Sequence, residues 1–261
     1  MTGPRRLPTP VRPTAAPLAR LLRSELVLAV PRPRTAVTLA ALLVIPLMAA
    51  FGLHALGDGT PALGVLLVST VAFTAPTLAV PVVLVAADAF GAERSHRTLD
   101  LLRLAPVGDG RLVALKSAGV LVTAGLTALV TTLVALLAGL ALLGPGPYTV
   151  GGTLGRGLAI GLWLAGQLAG LGMLALPLSM LVRRTAGVVA AGLLLTVLGL
   201  VPNLPHWIVV AVPDGGWEAA TTGIGATPAD WSAAATTTLR AAVYVLVGAA
   251  VTVRLLRRRE E

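Results

Sequence analysis

Residues 117–143 read SAGVLVTAGLTALVTTLVALLAGLALL and contain no charged side chain. A stretch of this length is sufficient to cross a hydrocarbon core of ~30 Å, which takes about 20 predominantly apolar residues as a helix. Such a span must be helical, because lipid offers backbone amides no hydrogen-bond partner. The stretch therefore predicts a transmembrane helix, and the number of similar stretches decides the fold.

Five other parts of the chain have the same apolar character. Together they predict an all-α, polytopic membrane protein with six transmembrane helices. The domain organisation is then a cytoplasmic segment over 1–34, a transmembrane domain over 35–253 and a basic cytoplasmic tail over 254–261. The second stretch contains Pro76 and Pro81, so we expect a kink. The six stretches lie at about 35–53, 62–87, 117–143, 157–182, 185–203 and 235–253.

The composition also indicates lipid as the solvent. The chain has 261 residues, of which 56% are hydrophobic and 12% charged, whereas soluble domains carry about 25% charged residues. A net charge of +9 would suggest nucleic acid as a partner of a soluble protein. Aromatic residues make up only 3% and do not interleave with basic stretches, so we expect no nucleic-acid partner. The absence of cysteine excludes disulfides, thiolate metal sites and cysteine nucleophiles.

The basic residues predict the orientation. With both termini in the cytoplasm, 18 of the 20 basic residues lie on the cytoplasmic side, and only Arg156 and Arg240 lie outside. The positive-inside rule therefore predicts a multi-pass protein of the cell membrane with cytoplasmic termini. The cytoplasmic basic residues are Arg5, Arg6, Arg12, Arg20, Arg23, Arg32, Arg34, Arg94, Arg97, Arg103, Arg111, Lys116, Arg183, Arg184, Arg254, Arg257, Arg258 and Arg259.

Two segments outside the spans have amphipathic or apolar character. Residues 17–30 place leucines on one helical face and Arg20 and Arg23 on another, which predicts an N-terminal amphipathic helix on the cytoplasmic leaflet. The alternative is an extension of the first span, which Pro31 and Pro33 disfavour.

The last external loop, at about 204–234, contains the apolar segment Trp207–Val212, which is too short to cross. It either dips into the outer leaflet with the loop's tryptophans at the interface, or it is a surface loop with ordinary interfacial anchors. The sequence leaves both interpretations open.

The most charged internal loop joins the second and third spans. Residues 88–120 read DAFGAERSHRTLDLLRLAPVGDGRLVALKSAGV. Residues 92–104 predict a short cytoplasmic helix, which Pro106 and the turn at Gly108–Gly110 end. Such a helix suits docking of a soluble partner, although a solvated linker that only sets topology would also carry these charges.

This loop resembles the first cytoplasmic loop of the permease subunits of ABC exporters of the type-2 family. That loop typically shows Glu-Arg, a Thr-Leu-acid-x-Leu-Leu run, a proline and a lysine at the start of the next span. One position departs from the pattern, because Arg97 stands where the family usually has glycine. The matching residues are Glu93, Arg94, Thr98, Leu99, Asp100, Leu101, Leu102, Pro106 and Lys116.

The resemblance implies a permease subunit that exports a substrate as a homo- or heterodimer. A separate ATP-binding cassette ATPase subunit would drive it through the coupling helix at 92–104. ATP would be bound and hydrolysed by that partner, so the chain itself would need no cofactor and would not be an enzyme. The residues implied to contact the ATPase are Glu93, Arg94, Thr98, Leu99, Asp100 and Leu102.

The sequence predicts no nucleotide-binding site in the chain itself. Lys116-Ser117 is preceded by Leu115 where a phosphate-binding loop requires glycine, and it leads into a span. No predicted span has a central charged or histidine side chain, which favours an external energy source over ion coupling. The alternative function is an ATP-independent secondary carrier or membrane scaffold. The few polar groups in the spans favour a hydrophobic or amphipathic cargo.

A few polar and small residues inside the spans are candidates for further roles. Gln167 either faces a pathway or makes an interhelical hydrogen bond. Thr123, Thr127 and Thr131 are expected to bond to carbonyls of their own helix; the alternative is that they form a weakly polar wall of a pathway. His54, His96 and His206 are scattered and predict no metal site. Glycines at small-xxx-small spacing predict close helix packing, with dimerisation through this face as the alternative; they are Gly157, Gly161, Gly166 and Gly170.

Overall fold

The computed structural model of the protein describes residues 33–57, 59–70, 75–95, 109–182, 184–198, 213 and 216–258. Within these ranges the chain forms eight α-helices and no strand, in agreement with the all-α prediction. The amphipathic helix predicted within 17–30 and the segment Trp207–Val212 lie outside the described residues. The helices are α1 (Pro33–Leu56), α2 (Ala62–Thr70), α3 (Ala75–Ser95), α4 (Asp109–Leu142), α5 (Val150–Leu181), α6 (Thr185–Leu198), α7 (Trp217–Gly225) and α8 (Ser232–Arg257).

Four of these helices, α1, α4, α5 and α8, are long and apolar enough to cross a membrane. Helices α2 and α3 meet the same criterion together, with a bend of 59° between them. The described residues therefore supply four to five candidate spans and form a multi-pass membrane protein. Helix α6 is apolar but has 14 residues, fewer than a crossing needs. The predicted span at 185–203 continues past the described residues at Leu198, so the count of six stays a prediction.

The bend predicted in the second span lies between α2 and α3. Pro76 is the second residue of α3, a position where proline is tolerated because the first amides of a helix lack an intrahelical acceptor. Pro81 lies inside α3 without ending it. The direction of the chain therefore changes ahead of both prolines.

Helix α5 lies at the centre of the protein, where it packs against α3, α4 and α8. Along α4 and α5 the close contacts run in opposite directions. Gly157 lies against Leu136, and Gly161, one turn later, lies against Thr132. The two helices are therefore antiparallel, and their glycines allow the close approach.

Helix α8 runs parallel to α5. The indole of Trp163 contacts Thr237, and further along both helices the backbone of Met173 contacts Gly248. Asp88 of α3 lies 3.5 Å from the hydroxyl of Thr185, at the start of α6. The last turns of α3, the start of α4 and the last turns of α8 therefore lie at one end of the protein.

We call the end of the protein at which α8 finishes with Arg254 and Arg257 the basic end. The cap end is the opposite end, where α7 lies against the start of α5 and α8.

Candidate functional site

The predicted coupling loop begins and ends at the basic end. Glu93 and Arg94 belong to the last turn of α3, which continues to Ser95. The start of the predicted helix at 92–104 is therefore a continuation of α3. Thr98, Leu99, Asp100 and Leu102 lie outside the described residues. Helix α4 begins at Asp109, within the turn predicted to end the coupling helix.

The flanks of this loop are packed into the fold. Phe90, in the turn of α3 before Glu93, is fully buried. On the preceding turns, Gly192 of α6 allows close approach to Val83, and Gly172 of α5 does the same at Val82. A force applied to the end of α3 would therefore be passed to α5 and α6, because packed helices deform little.

Gln167 is buried in α5, with 3% of its surface exposed. It is four residues after Trp163 and three before Gly170, and both of these contact α8. Helical spacing therefore places Gln167 on a similar side of α5. Its Nε2 has no hydrogen-bond partner among the described residues, so the amide nitrogen forms no interhelical bond with this part of the chain.

The three threonines of α4 are all fully buried. Thr123 donates a hydrogen bond to the carbonyl of Gly119 at 2.8 Å, as predicted. The hydroxyls of Thr127 and Thr131 have no partner in the described part of the chain. For these two residues the predicted bond to the helix's own carbonyl is wrong.

The four candidate glycines differ in their surroundings. A Cβ at Gly157 or Gly161 would lie 2.6 Å from atoms of α4, and one at Gly170 would lie 3.1 Å from the carbonyl oxygen of Ala241 in α8. Gly166 has no neighbour within 4 Å of that position among the described residues. Close approach to other helices is thus found at three of the four positions.

At the cap end, Arg156 connects α5 to the C-terminus of α7. Its guanidinium donates hydrogen bonds to the carbonyls of Ile224, at 2.7 Å, and Ala226, at 2.5 Å. The last carbonyls of a helix lack intrahelical donors and carry partial negative charge, so a cation is favourable there. The ring of Tyr148 lies 4.6 Å from the guanidinium, and its hydroxyl donates to the carbonyl of Gly225. We call these interactions the Arg156 contact.

A second group of aromatic contacts joins α5, α7 and α8. Trp163 donates from Nε1 to the hydroxyl of Thr237 at 2.9 Å. Its ring meets that of Trp217 edge to face, with centroids 5.6 Å apart. Trp217 is 2% exposed and donates to the carbonyl of Pro213. Trp217 is therefore a buried packing residue and not the interfacial anchor predicted for the tryptophans of this loop, whereas Trp231 is half exposed.

The turn before α8 is stabilised by Asp230. Its carboxylate accepts a hydrogen bond from the backbone amide of Ser232 at 2.9 Å. This bond, together with the side-chain hydroxyl of Ser232, lowers the pKa of Asp230 below its usual value. The backbone of Asp230 also donates to the carbonyl of Gly223 in α7.

Sequence reasoning missed the structural role of Arg156, Trp163, Trp217 and Gly248. A signal existed for Arg156, because it is one of two basic residues that contradict the positive-inside rule. Under the predicted orientation, its contact with α7 accounts for that exception. The partners lie about 70 positions away along the chain, and no local periodicity identifies such a pair.

Comparison with protein families identifies the chain. A family model described as "ABC-2 family transporter protein" matches residues 32–203. The protein belongs to this family. The match confirms the resemblance drawn from the loop between the second and third spans. ABC-2 membrane domains are transport components that are generally not catalytic, and membership implies the context of an ABC transporter. Comparison with curated proteins finds no match.

The matched range contains α1 to α6 and the loop between α3 and α4, whereas α7 and α8 follow it. The Arg156 contact therefore joins a matched helix to a part of the chain beyond the match. The loop that carries the sequence motif lies wholly within the ABC-2 part.

Proposed function

We propose that the chain is the permease subunit of an ABC exporter and is driven by ATP hydrolysis on a separate ATPase subunit. The observation that carries the proposal is the family match over 32–203, which includes the charged loop. Under this proposal the chain needs no cofactor of its own, since the partner binds ATP.

The coupling role is proposed for the loop at 92–104. The ends of α3 and α4 bring both flanks of this loop to the basic end. Glu93, Arg94 and Asp100 supply charges for a soluble partner, and Leu99 and Leu102 supply apolar contact. Thr98 is the sixth residue that we propose to contact the ATPase. The buried packing of α3 against α5 and α6 supports a role in transmitting movement from this loop.

The proposed topology has six spans and cytoplasmic termini. The fifth span would begin with α6 and continue beyond Leu198, and the bent pair α2 and α3 would be the second. The charge count supports this orientation, because it places the basic end in the cytoplasm. An ATPase would then have access to the loop.

A dimer of permease subunits is proposed to form the pathway, with a hydrophobic or amphipathic substrate. The apolar character of the spans supports this substrate class. Gln167 is proposed as a polar contact along the pathway, since its amide nitrogen is unpaired among the described residues.

Co-purification tests the proposal. The full chain, with an affinity tag, would be co-expressed with the ATPase genes that neighbour it and extracted in mild detergent. We expect an ATPase containing a phosphate-binding loop to elute with the chain in a fixed ratio, and tagged and untagged copies to elute together if the permease is a homodimer. Elution of the chain without any ATPase would contradict the proposal.

A further inference from the structure

The exposed face of α8 combines an apolar stripe with two arginines. Residues at intervals of three or four positions lie on one side of a helix. The stripe ends at the basic end with Arg254 and Arg258, which are both exposed. Its apolar members, all exposed, are Leu239, Val243, Leu246, Val247 and Val251.

The length of α8 places these arginines at a membrane surface. Trp231, half exposed, directly precedes the helix. A rise of 1.5 Å per residue separates Trp231 from Arg254 by about 35 Å. This separation slightly exceeds a hydrocarbon core of about 30 Å, so the tryptophan and the arginine lie near opposite headgroup layers.

The two arginines border a cavity. It has a volume of about 280 Å³ and is lined by Val251, Arg254, Leu255 and Arg258. One helical turn separates the two guanidinium-bearing residues by about 6 Å along the axis. Neither arginine side chain bonds to an acidic residue or to the last carbonyls of α8 among the described residues. Both guanidinium-bearing side chains therefore border the same space, where one anion can meet the two of them.

We propose that this site binds the headgroup of an anionic phospholipid, with the phosphate between Arg254 and Arg258 and an acyl chain along the stripe. Guanidinium groups recognise phosphate through paired N–H donors. Basic pockets beside transmembrane helices bind acidic lipid headgroups in this way. The proposal requires α8 to cross the bilayer, and it does not depend on coupling to an ATPase.

Charge distinguishes this occupant from others. A zwitterionic lipid would bring an ammonium group toward two positive charges. A second copy of the chain packed through the same face by twofold symmetry would bring its own arginines close to these, and like charges repel. An anionic lipid satisfies both the apolar stripe and the charges at its end.

Native mass spectrometry of the full-length protein tests the proposal. The purified chain would be titrated with dioleoyl phosphatidylglycerol and, separately, with dioleoyl phosphatidylcholine. Arg254→Gln and Arg258→Gln are compared with Arg111→Gln, which removes the same charge from an exposed residue near the start of α4, at the same end of the protein, that does not line the cavity. We expect each of the first two variants to lower phosphatidylglycerol affinity about fivefold, and R111Q to lower it much less.

Three results would overturn the proposal. Equal loss in all three variants would indicate diffuse electrostatic attraction. Equal affinity for phosphatidylcholine would show that the negative charge is not recognised. Displacement of the lipid by inorganic phosphate at comparable concentration would show that the acyl chain contributes nothing. Unchanged elution volume and helicity would show that the variants fold, so a loss of affinity can be assigned to the site.

Discussion

At the cap end, side chains from different helices bond to one another and to backbone carbonyls, whereas at the basic end the arginines of α8 contact no acidic side chain among the described residues. Arg156, Trp163 and Trp217 each connect two helices. The difference indicates that the cap end holds the helices together through side-chain bonds, while the basic end carries exposed positive charge. Substitutions at the two ends should therefore affect different properties.

The largest expected loss of stability is at Trp217. Trp217→Ala removes a buried ring that packs on Trp163 and should lower the free energy of unfolding by about 3–5 kcal/mol. The control is Trp231→Ala, which truncates a half-exposed ring. Thermal unfolding of both variants in the same detergent measures the difference. Equal losses would show that α7 is not held by its buried tryptophan.

Gly248 tests the packing between the two ends. A Cβ at this position would overlap the carbonyl oxygen of Met173, and this backbone atom cannot rotate away. We expect Gly248→Ala to cost about 1–3 kcal/mol. Gly166→Ala, where no described atom lies within 4 Å, should be neutral or slightly stabilising, since alanine is the better helix former. Denaturant titration measures the free energy of unfolding of the two variants. Similar values for both would contradict the close packing of α5 and α8.

The Arg156 contact is expected to have a smaller effect. Both bonds come from one nitrogen, Nη1. Arg156→Lys keeps the charge and a donor, but its shorter side chain lacks the planar group that lies over the ring of Tyr148. The loss of this ring contact should cost about 1 kcal/mol. Arg111→Lys, at an exposed position near the start of α4, is the matched control. An equal loss in both variants, measured by thermal unfolding, would show that the two carbonyls do not need the guanidinium.

The smallest expected effect is at Asp230. The folded protein lowers the pKa of Asp230, so the ionised form stabilises the fold above the ordinary pKa. That contribution is lost as the pH falls through the lowered value. The stability difference between the wild type and Asp230→Asn should therefore be present near neutral pH and disappear in acid below the usual pKa of 3.8. A difference that persists unchanged into strong acid would contradict this role.

The sequence predicted the helical character and most span positions, because apolar length is a local property. It could not predict the Arg156 contact or the pair of Trp163 and Trp217, since these depend on residues far apart in the chain. Thr127 shows a further limit: its spacing matches that of Thr123, but only Thr123 bonds to its own helix. Three of four glycines predicted from spacing lie against other helices, and spacing alone does not distinguish Gly166 from them.

The sequence motif covers the whole candidate site, whereas the structure describes only its first residues, Glu93 and Arg94. The motif from Glu93 to Leu102 identified the family, which depends on residue types along the chain. The structure adds that the turns of α3 before this loop pack against α5 and α6, and that α3 ends at the same end as the arginines of α8.

ATPase activity of the complex tests the central claim most directly. The permease and its ATPase would be reconstituted together in lipid, and the activity compared with that of the free ATPase. Glu93→Lys and Asp100→Lys should abolish the change in activity that the permease causes while leaving its thermal stability intact. Glu218→Lys, an exposed charge reversal at the cap end, should leave the coupling unchanged. If both loop variants couple as the wild type does, the chain is not driven through the loop at 92–104.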